Sequence, residues 1–159
     1  MKIKSLKVEN FRNLENLDVE FSEGVNIVYG NNAQGKTNII EAIYIFSFGK
    51  SFRATKDIEL LKFDKEYFLS NIAIQKKDRE LEMDFGFDKI TNKKMIKING
   101  VIQKKISDII GKLNVVVFKP EDIKIVTDSP SIRRKYIDYL ICSISKVYLE
   151  NITKYKKVM

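Results

Sequence analysis

One short segment carries the strongest chemical signal in the sequence. Residues 30–37 read Gly-Asn-Asn-Ala-Gln-Gly-Lys-Thr and match the phosphate-binding pattern GxxxxGK[ST]. In this pattern the glycines let successive backbone N–H groups turn toward an anion, and the start of the following helix adds its positive dipole end. The side chain of Lys36 would then reach the β- and γ-phosphates of a nucleoside triphosphate. We therefore predict nucleotide binding at this loop.

The residues after Lys36 extend the predicted site. Thr37 is placed to ligate Mg²⁺ through its hydroxyl, and Asn38 lies near enough to contact a phosphate or a metal-bound water. The predicted nucleotide-binding residues of the loop are Gly30, Asn31, Asn32, Ala33, Gln34, Gly35, Lys36, Thr37 and Asn38.

The segments on both sides of the loop fit this interpretation. Residues 25–29 are β-branched and aromatic, which predicts a short buried strand. After the loop, apolar residues recur with helical spacing until Gly49: Ile39, Ile40, Ala42, Ile43 and Phe46. A strand, a loop and a helix in this order favour a phosphate site over a chance glycine turn.

The remaining pattern predicts an α/β fold with an antiparallel β-meander. Apolar alternation predicts strands around Leu6 and Val8 and over 17–21, so that three strands precede the loop. After a polar connector at 50–57, alternation predicts further strands at 67–75, 81–87 and 96–98. Asn99-Gly100 is typical of a two-residue hairpin turn, and the apolar run 113–118 predicts another buried strand.

The last part of the chain is predicted to be helical. Ser129 and Pro130 are typical of an N-cap and a first helical residue, and an apolar face from Ile132 to Tyr155 predicts one long helix without a stop signal. We expect two regions: 1–128, a lobe with the loop and the meander, and 129–159, the start of a helical domain that looks cut short. An apolar stripe that continues to the end of the chain needs a partner.

Composition limits the class of protein. The chain has 159 residues, 44% of them hydrophobic, enough for one core but too polar and interrupted to cross a membrane. The first ten residues lack the apolar core of a signal peptide, and the single cysteine, Cys142, lies on an apolar helical face where a structural role is favoured. We therefore expect a cytoplasmic, disulfide-free protein. The absence of histidine excludes histidine bases and histidine metal ligands from this sequence.

The charge suggests a polyanionic partner. The net charge is +8 and the pI is about 9.4, which suits nucleic acid, although a lysine-rich proteome would produce the same balance. The candidate DNA-binding residues are Lys104, Lys105, Arg133 and Arg134, with terminal lysines as weaker candidates. No aromatic residues interleave with these clusters, so they support backbone contact only. Arg133 and Arg134 open a helix, where the dipole disfavours cations, so we expect an anionic partner there.

An acid at a strand end, which phosphate-loop ATPases use to hold Mg²⁺ through water, is not evident. The nearest candidates are Glu121 and Asp122, which lie beyond Pro120. An acid-rich helix N-terminus is the favoured explanation of these two residues. Whether either contributes to Mg²⁺ binding or water positioning is open.

Segments over nearly the whole chain carry a family resemblance. They are residues 6–14 (LKVENFRNL), 30–38 with Glu41-Ala42, 51–53 (SFR), 118–122 (FKPED), and Ser129-Pro130 with Arg133-Arg134. With these the sequence resembles the RecF family of bacterial DNA replication and repair proteins, whose heads are similar to those of the SMC and ABC ATPases. The loop and the Phe-Arg-Asn segment are shared with those relatives, whereas Pro-Glu-Asp and Ser-Pro-x-x-Arg-Arg are more particular to RecF.

The resemblance implies an ABC/SMC-like head lobe in a cytoplasmic protein that binds ATP and Mg²⁺ and dimerises around ATP. It also implies binding to DNA junctions or gaps, and work with recombination mediator proteins in recombinational repair, the response to DNA damage and the SOS response. Gly30 to Asn38 would hold the triphosphate, and Arg12 and Asn13 would approach it from the first loop. From the residues alone, Arg12 could form bidentate bonds to phosphate or a surface salt bridge.

The chain departs from this family in length. Members are considerably longer, and their signature motif and acidic Mg²⁺ motif lie in a second half that has no counterpart in this sequence. Because one subunit's signature motif closes over the other's phosphate loop, we expect this chain to bind ATP weakly and to hydrolyse it negligibly. The alternative is a complete small phosphotransferase for an anionic substrate, with Glu121 or Asp122 as the acid.

Overall fold

A six-stranded antiparallel sheet is the framework of the protein. The computed structural model describes residues 1–77 and 79–158, with Lys124 described by its backbone only. The strands lie in the order β2-β1-β3-β4-β5-β6. Their bounds are β1 Lys2–Phe11, β2 Leu14–Glu20, β3 Tyr67–Lys76, β4 Arg79–Asp88, β5 Lys93–Ile98 and β6 Val101–Ile102. The predicted meander is confirmed.

The helices follow the loop and the meander. They are α1 Lys36–Phe48, the short α2 Lys124–Thr127, α3 Pro130–Ile144 and α4 Lys146–Val158. Short 3-10 turns occupy Asp57–Leu60, Ile106–Asp108 and Pro120–Ile123. None of these helices is long and apolar enough to span a membrane, as judged over the described part of the chain.

The core lies between one sheet face and α1. Because side chains alternate along a strand, every second residue of β1, β3 and β4 points toward the helix. Residues from both layers are fully or almost fully buried: Leu6, Val8, Phe68, Ile72, Met83, Phe85, Ala42, Ile45 and Phe46. The core therefore fixes α1 against the centre of the sheet, with the loop at its N-terminus.

The turn residues behave as the sequence predicts. Asn99 and Gly100 have φ of 48° and 76°, as a hairpin between β5 and β6 requires. Helix α1 ends at Gly49, whose φ is 68°. Helix α3 begins at Pro130 with Ser129 as its N-cap residue, and Cys142 is buried.

Two predicted strands are wrong. Residues 25–29 and 113–118 form no strand in the structure. The four apolar side chains of 25–29 are all exposed, with Tyr29 at 89%, whereas 113–118 exposes Val116 and Phe118 and buries Leu113. Both have the composition of buried strands, but a strand also needs neighbours for its backbone N–H and C=O groups. The described residues offer none beside these two segments, so only two strands precede the loop.

The prediction of a single long helix is also wrong, because the helix is interrupted at Ser145. This residue has an extended backbone, with φ −130° and ψ 108°, and its Oγ accepts a hydrogen bond from the Tyr148 backbone N at 3.2 Å. Serine is a favoured N-cap residue, so it starts a new helix here. The Tyr148 hydroxyl donates to Asp138 at 2.5 Å, so α3 and α4 contact each other across the break.

Candidate nucleotide-binding site

The loop at 30–37 has the backbone of an anion cradle. Positive φ values occur at Gly30 (141°), Ala33 (64°) and Gly35 (97°), which turn the peptide groups inward. Among the described residues, no hydrogen bond uses the backbone N–H groups of residues 31–37. Gly35 is the N-cap of α1 and offers no side chain, and the first turn holds no acid. Free donors and a positive helix end therefore converge on this loop.

The side chain of Lys36 reaches back to the first two residues of the loop. Its Nζ donates to the carbonyl oxygens of Gly30 at 2.7 Å and Asn31 at 2.6 Å. An ammonium group has three donors, so one remains for a ligand. Contact between this ammonium group and phosphates stays a prediction. Thr37 follows on the first turn of α1 and is exposed, so its hydroxyl is accessible to a metal ion.

The turn between β1 and β2 supports the loop from one side. Asn13 Nδ2 donates to the Ala33 carbonyl at 2.6 Å, and Asn38 Nδ2 donates to Asn13 Oδ1 at 2.6 Å. A Cβ at Gly35 would lie 2.7 Å from both Asn13 Oδ1 and Leu14 Cδ2. This close approach, together with the positive φ, requires glycine at position 35. Asn13, which the family resemblance placed near the nucleotide, thus contacts the loop itself.

A buried carboxylate lies beneath the first turn of α1. Glu41 is fully buried, and Arg12 donates to it through Nη2 at 2.8 Å and Nε at 3.1 Å. Arg53 and Ser51 also donate to this carboxylate. Burial acts to raise the pKa of Glu41, but the hydrogen bonds from its three partners outweigh burial and hold the pKa below its usual range.

Arg12 therefore has a structural partner. In addition to the bonds that Nε and Nη2 make with Glu41, the Nη1 of Arg12 donates to the Glu59 carbonyl at 2.6 Å. The backbone of Arg12 has φ 55°, a region that residues other than glycine rarely adopt. Two of its five N–H donors are left unused by these bonds. Contact between Arg12 and a nucleotide stays a prediction, and its ion pair is with a buried acid rather than a surface one.

Arg53, like Glu41, is a site residue that sequence reasoning did not name as a candidate. It lies in the connector after α1, and its Nη2 donates to Asn38 Oδ1 on the first turn of α1 as well as to Glu41. Ser51 Oγ accepts the backbone N–H groups of Arg53 and Ala54, both at 2.8 Å, and so shapes this bend. Only the Ser-Phe-Arg segment within the family motif indicated it.

The two pairs of basic residues lie on different elements. Arg133 Nη1 donates to the carbonyls at the end of α2 and just after it, with Asp128 O nearest at 3.1 Å. A cation beside helix C-terminal carbonyls is favourable, so Arg133 finds its partner within the chain. Arg134 is exposed on the first turn of α3, and Lys104 and Lys105 are exposed just before the turn at 106–108.

The candidate acids lie at a helical start, as the sequence favoured. Asp122 Oδ2 accepts the backbone N–H of Lys119 at 2.8 Å, which closes the 3-10 turn Pro120–Ile123. Glu121 lies on the same turn and is exposed. Across the described residues, no three acidic or thiol side chains gather in a way that could hold a metal ion.

The fold and the loop together define the class of protein: a P-loop ATPase-like lobe in which a phosphate loop leads into a helix that packs on an antiparallel sheet. The sequence model of the AAA domain family matches residues 5–157, and the chain belongs to this family. It is similar over its whole length to curated proteins named DNA replication and repair protein RecF, at 45% identity in Thermoanaerobacter sp. strain X514 and 43% in Clostridium botulinum strain Loch Maree. These matches confirm the RecF resemblance.

Solved structures agree with this assignment. A structure described as the recombination mediator protein RecF-ATPrS in the RecFOR pathway superposes with a TM-score of 0.92 at 44% identity, covering 98% of this chain and 42% of that one. The SMC head domain from Thermotoga maritima superposes with a TM-score of 0.60 at 20% identity, over 81% of this chain and 52% of the other, and shares the fold. The expected ABC/SMC-like head lobe is confirmed. The chain spans about 44% of the length of the curated relatives it matches.

Proposed function

We propose that this chain is the phosphate-loop part of an ATP-binding protein of DNA replication and repair. The observation that carries the proposal is the loop at 30–37, where the Lys36 ammonium and N–H donors that the described residues leave unused suit a polyphosphate. Similar proteins are named for DNA replication and repair, and a RecF structure is described as a complex with ATP.

The residues of the loop fit ATP and Mg²⁺. Residues 30–38 would hold the triphosphate through backbone donors, and Lys36 would contribute its remaining donor to the outer phosphates. Thr37 would hold Mg²⁺ through its hydroxyl, and the ion would neutralise charge on the phosphates. Asn13 and Asn38 would keep the loop in shape, since both lie in one hydrogen-bonded chain with it.

The site needs further residues for turnover. Two apolar segments outside the sheet, 25–29 and 113–118, come near α1, where Asn26, Ile43 and Val115 line a common cavity of about 490 Å³. We infer that these segments become sheet strands when additional polypeptide covers them. From the family resemblance we propose an ATP-dependent homodimer, in which a second copy would close over the loop, and negligible hydrolysis by this chain alone.

DNA is the proposed partner. A net charge of +8 and the exposed residues Arg134, Lys104 and Lys105 support contact with a phosphate backbone. From the family we propose that the protein acts in the cytoplasm at single-strand gaps or junctions of DNA. There it would work with recombination mediator proteins in the response to DNA damage and in the SOS response. We propose residues 1–128 as the ATP-binding lobe and 129–159 as the start of a helical domain.

The test is calorimetry of Mg-ATP binding to the 159-residue chain and its Lys36→Ala variant, with phosphate release measured in parallel. We expect weak binding that Lys36→Ala abolishes and no release above background. Lys76→Ala, which removes an exposed lysine at the end of β3, is the matched control and should bind as the unchanged chain does. Absence of Lys36-dependent binding would refute the proposal.

The alternative of a complete phosphotransferase predicts Lys36-dependent phosphate transfer by this chain. It needs Glu121 or Asp122 as the acid, and the carboxylate of Asp122 already closes its own turn. Turnover lost in Glu121→Gln or Asp122→Asn would favour this alternative.

A further inference from the structure

The arrangement of Glu41 suggests more than a structural ion pair. Its two oxygens accept four hydrogen bonds, two from Arg12, one from Arg53 and one from Ser51. Four is about the number of lone-pair positions of a carboxylate. The group is fully buried, so its orientation and those of its arginine partners are fixed together.

The location of Glu41 links these arginines to the phosphate loop. Glu41 lies four residues after Thr37 on α1, and side chains four apart share one face of a helix. Asn38, on the same turn as Thr37, shares the Arg53 guanidinium with Glu41. The cluster of Glu41, Arg12 and Arg53 therefore carries one net positive charge directly beside the predicted metal and phosphate ligands.

Arg53 retains donors for a ligand. Both hydrogens of its Nη2 are used by Asn38 and Glu41, so Nε and Nη1 keep three N–H groups that no recorded bond among the described residues uses. Its side chain is 40% exposed, against 23% for Arg12. Arg53 is therefore the more accessible of the two cations.

We propose that Glu41 is a positioning residue of the nucleotide site, whose buried charge holds Arg53 at Asn38 so that the free donors of Arg53 bind the phosphates of the nucleotide. Arg12 anchors the carboxylate on its other side, to the turn between β1 and β2. The inference rests on the proposed ATP site and names how that site obtains a second cation besides Lys36.

The test is a double-mutant cycle of Mg-ATP binding with Glu41→Gln, Arg53→Gln and the double variant. A glutamine offers one acceptor oxygen and turns an NH₂ donor toward a guanidinium, so it releases Arg53 while keeping size. We expect Glu41→Gln and Arg53→Gln each to weaken binding by about tenfold, the effect of one charge-assisted hydrogen bond. The double variant should bind as Arg53→Gln does, because Glu41 acts through Arg53.

Two controls separate positioning from folding. Glu80→Gln makes the same chemical change on the exposed sheet surface and should leave affinity unchanged. If Glu41→Gln weakens binding equally with and without Arg53, or leaves it unchanged, the proposal is overturned. If Glu41→Gln does not fold, the Arg53→Gln variant alone tests the proposal. Normal Mg-ATP binding by a folded Arg53→Gln variant would then contradict it.

A nucleotide-free measurement distinguishes this inference from the proposed function. The Arg12 Nε–H, which is bonded to Glu41, should give a slowly exchanging NMR signal that Glu41→Gln removes. Persistence of that signal would show that Glu41 does not fix the arginines. Loss of the signal in a chain that fails to bind Mg-ATP would leave the positioning intact and refute the ATP site instead.

Discussion

Asn38 Nδ2 donates to Asn13 Oδ1 at 2.6 Å and thereby joins the first turn of α1 to the turn between β1 and β2. Asn13 in turn donates to the Ala33 carbonyl within the phosphate loop. The loop is therefore supported by an element that lies about twenty residues earlier in the chain.

Replacing Asn13 with Ala tests this support. The change removes both hydrogen bonds without adding volume, and we expect Mg-ATP binding to weaken by about five- to thirtyfold, in line with one or two hydrogen bonds of ~1 kcal/mol each. Calorimetry would measure the affinity. Asn16→Ala, on exposed β2, is the control and should bind normally. Equal affinity in both variants would mean that the turn does not shape the loop.

Glycine at position 35 is required by geometry. An alanine there would combine φ of 97° with contacts at 2.7 Å to Asn13 and Leu14, so we expect Gly35→Ala to lower the free energy of unfolding by about 2–4 kcal/mol. Gly24→Ala isolates the backbone contribution, since Gly24 has φ of 83° and no atom within 4 Å of an added Cβ. Gly24→Ala should lower the free energy of unfolding by about 1 kcal/mol. Denaturant unfolding of both variants checks the difference, and equal costs would contradict the close approach.

The pKa of Glu41 makes a prediction about acid stability. Since its pKa in the folded chain is below the usual 4.5, the ionised form stabilises the fold above pH 4.5, and this contribution falls as pH drops through the folded pKa. Glu41→Gln has no such contribution. We expect the stability difference between the unchanged chain and Glu41→Gln to be largest near neutral pH and to shrink below pH 4.5. Thermal melts from pH 7 to pH 3 measure it, with Glu80→Gln as control, and a pH-independent difference would disprove the linkage.

Arg133 and Arg134 should behave differently although they are adjacent. Arg133→Ala removes the contact with the carbonyls after α2, so we expect a loss of about 1 kcal/mol of stability. Arg134→Ala should leave stability unchanged, reduce affinity for DNA, and lower the salt slope of binding by about one. Thermal melts and fluorescence anisotropy at several salt concentrations separate the two. Unchanged DNA affinity in Arg134→Ala would remove this residue from the interface.

The two unpaired apolar segments should exchange their amide hydrogens rapidly. Residues 25–29 and 114–118 lie outside the sheet, so we expect little protection there and strong protection in β1 and β3. Hydrogen exchange followed by mass spectrometry measures both. Ile27→Lys, at a side chain that is 79% exposed, should change stability by less than about 0.5 kcal/mol. Strong protection at 25–29, or a large loss in Ile27→Lys, would contradict the structure.

Local patterns were sufficient to predict most of the fold. The strands β1 to β5, the hairpin at Asn99-Gly100 and the start of α3 at Pro130 depend on alternation and turn chemistry, which neighbouring residues determine. The strands at 25–29 and 113–118 were wrong because sheet formation depends on partners distant in sequence. The break at Ser145 was missed because an apolar face can continue through an N-cap residue.

The same distinction applies to the site. The loop was predicted because its chemistry lies in consecutive residues, 30–38. The network around Glu41 joins Arg12 and Arg53, which are 29 and 12 positions away from it in sequence. Such a convergence is created by tertiary packing, and local spacing gave no indication of it.

The phosphate loop is joined to two very different segments. On its C-terminal side, α1 is packed into the core, whereas on its N-terminal side residues 25–29 lie outside the sheet. Ordering residues 25–29 lowers the conformational entropy of the chain. If a bound nucleotide or a strand partner orders part of this segment, the other ligand has less entropy to remove when it binds. A polypeptide that pairs with residues 25–29 should therefore increase the affinity of the chain for nucleotide. By linkage, nucleotide should increase the affinity of the chain for that polypeptide by the same factor.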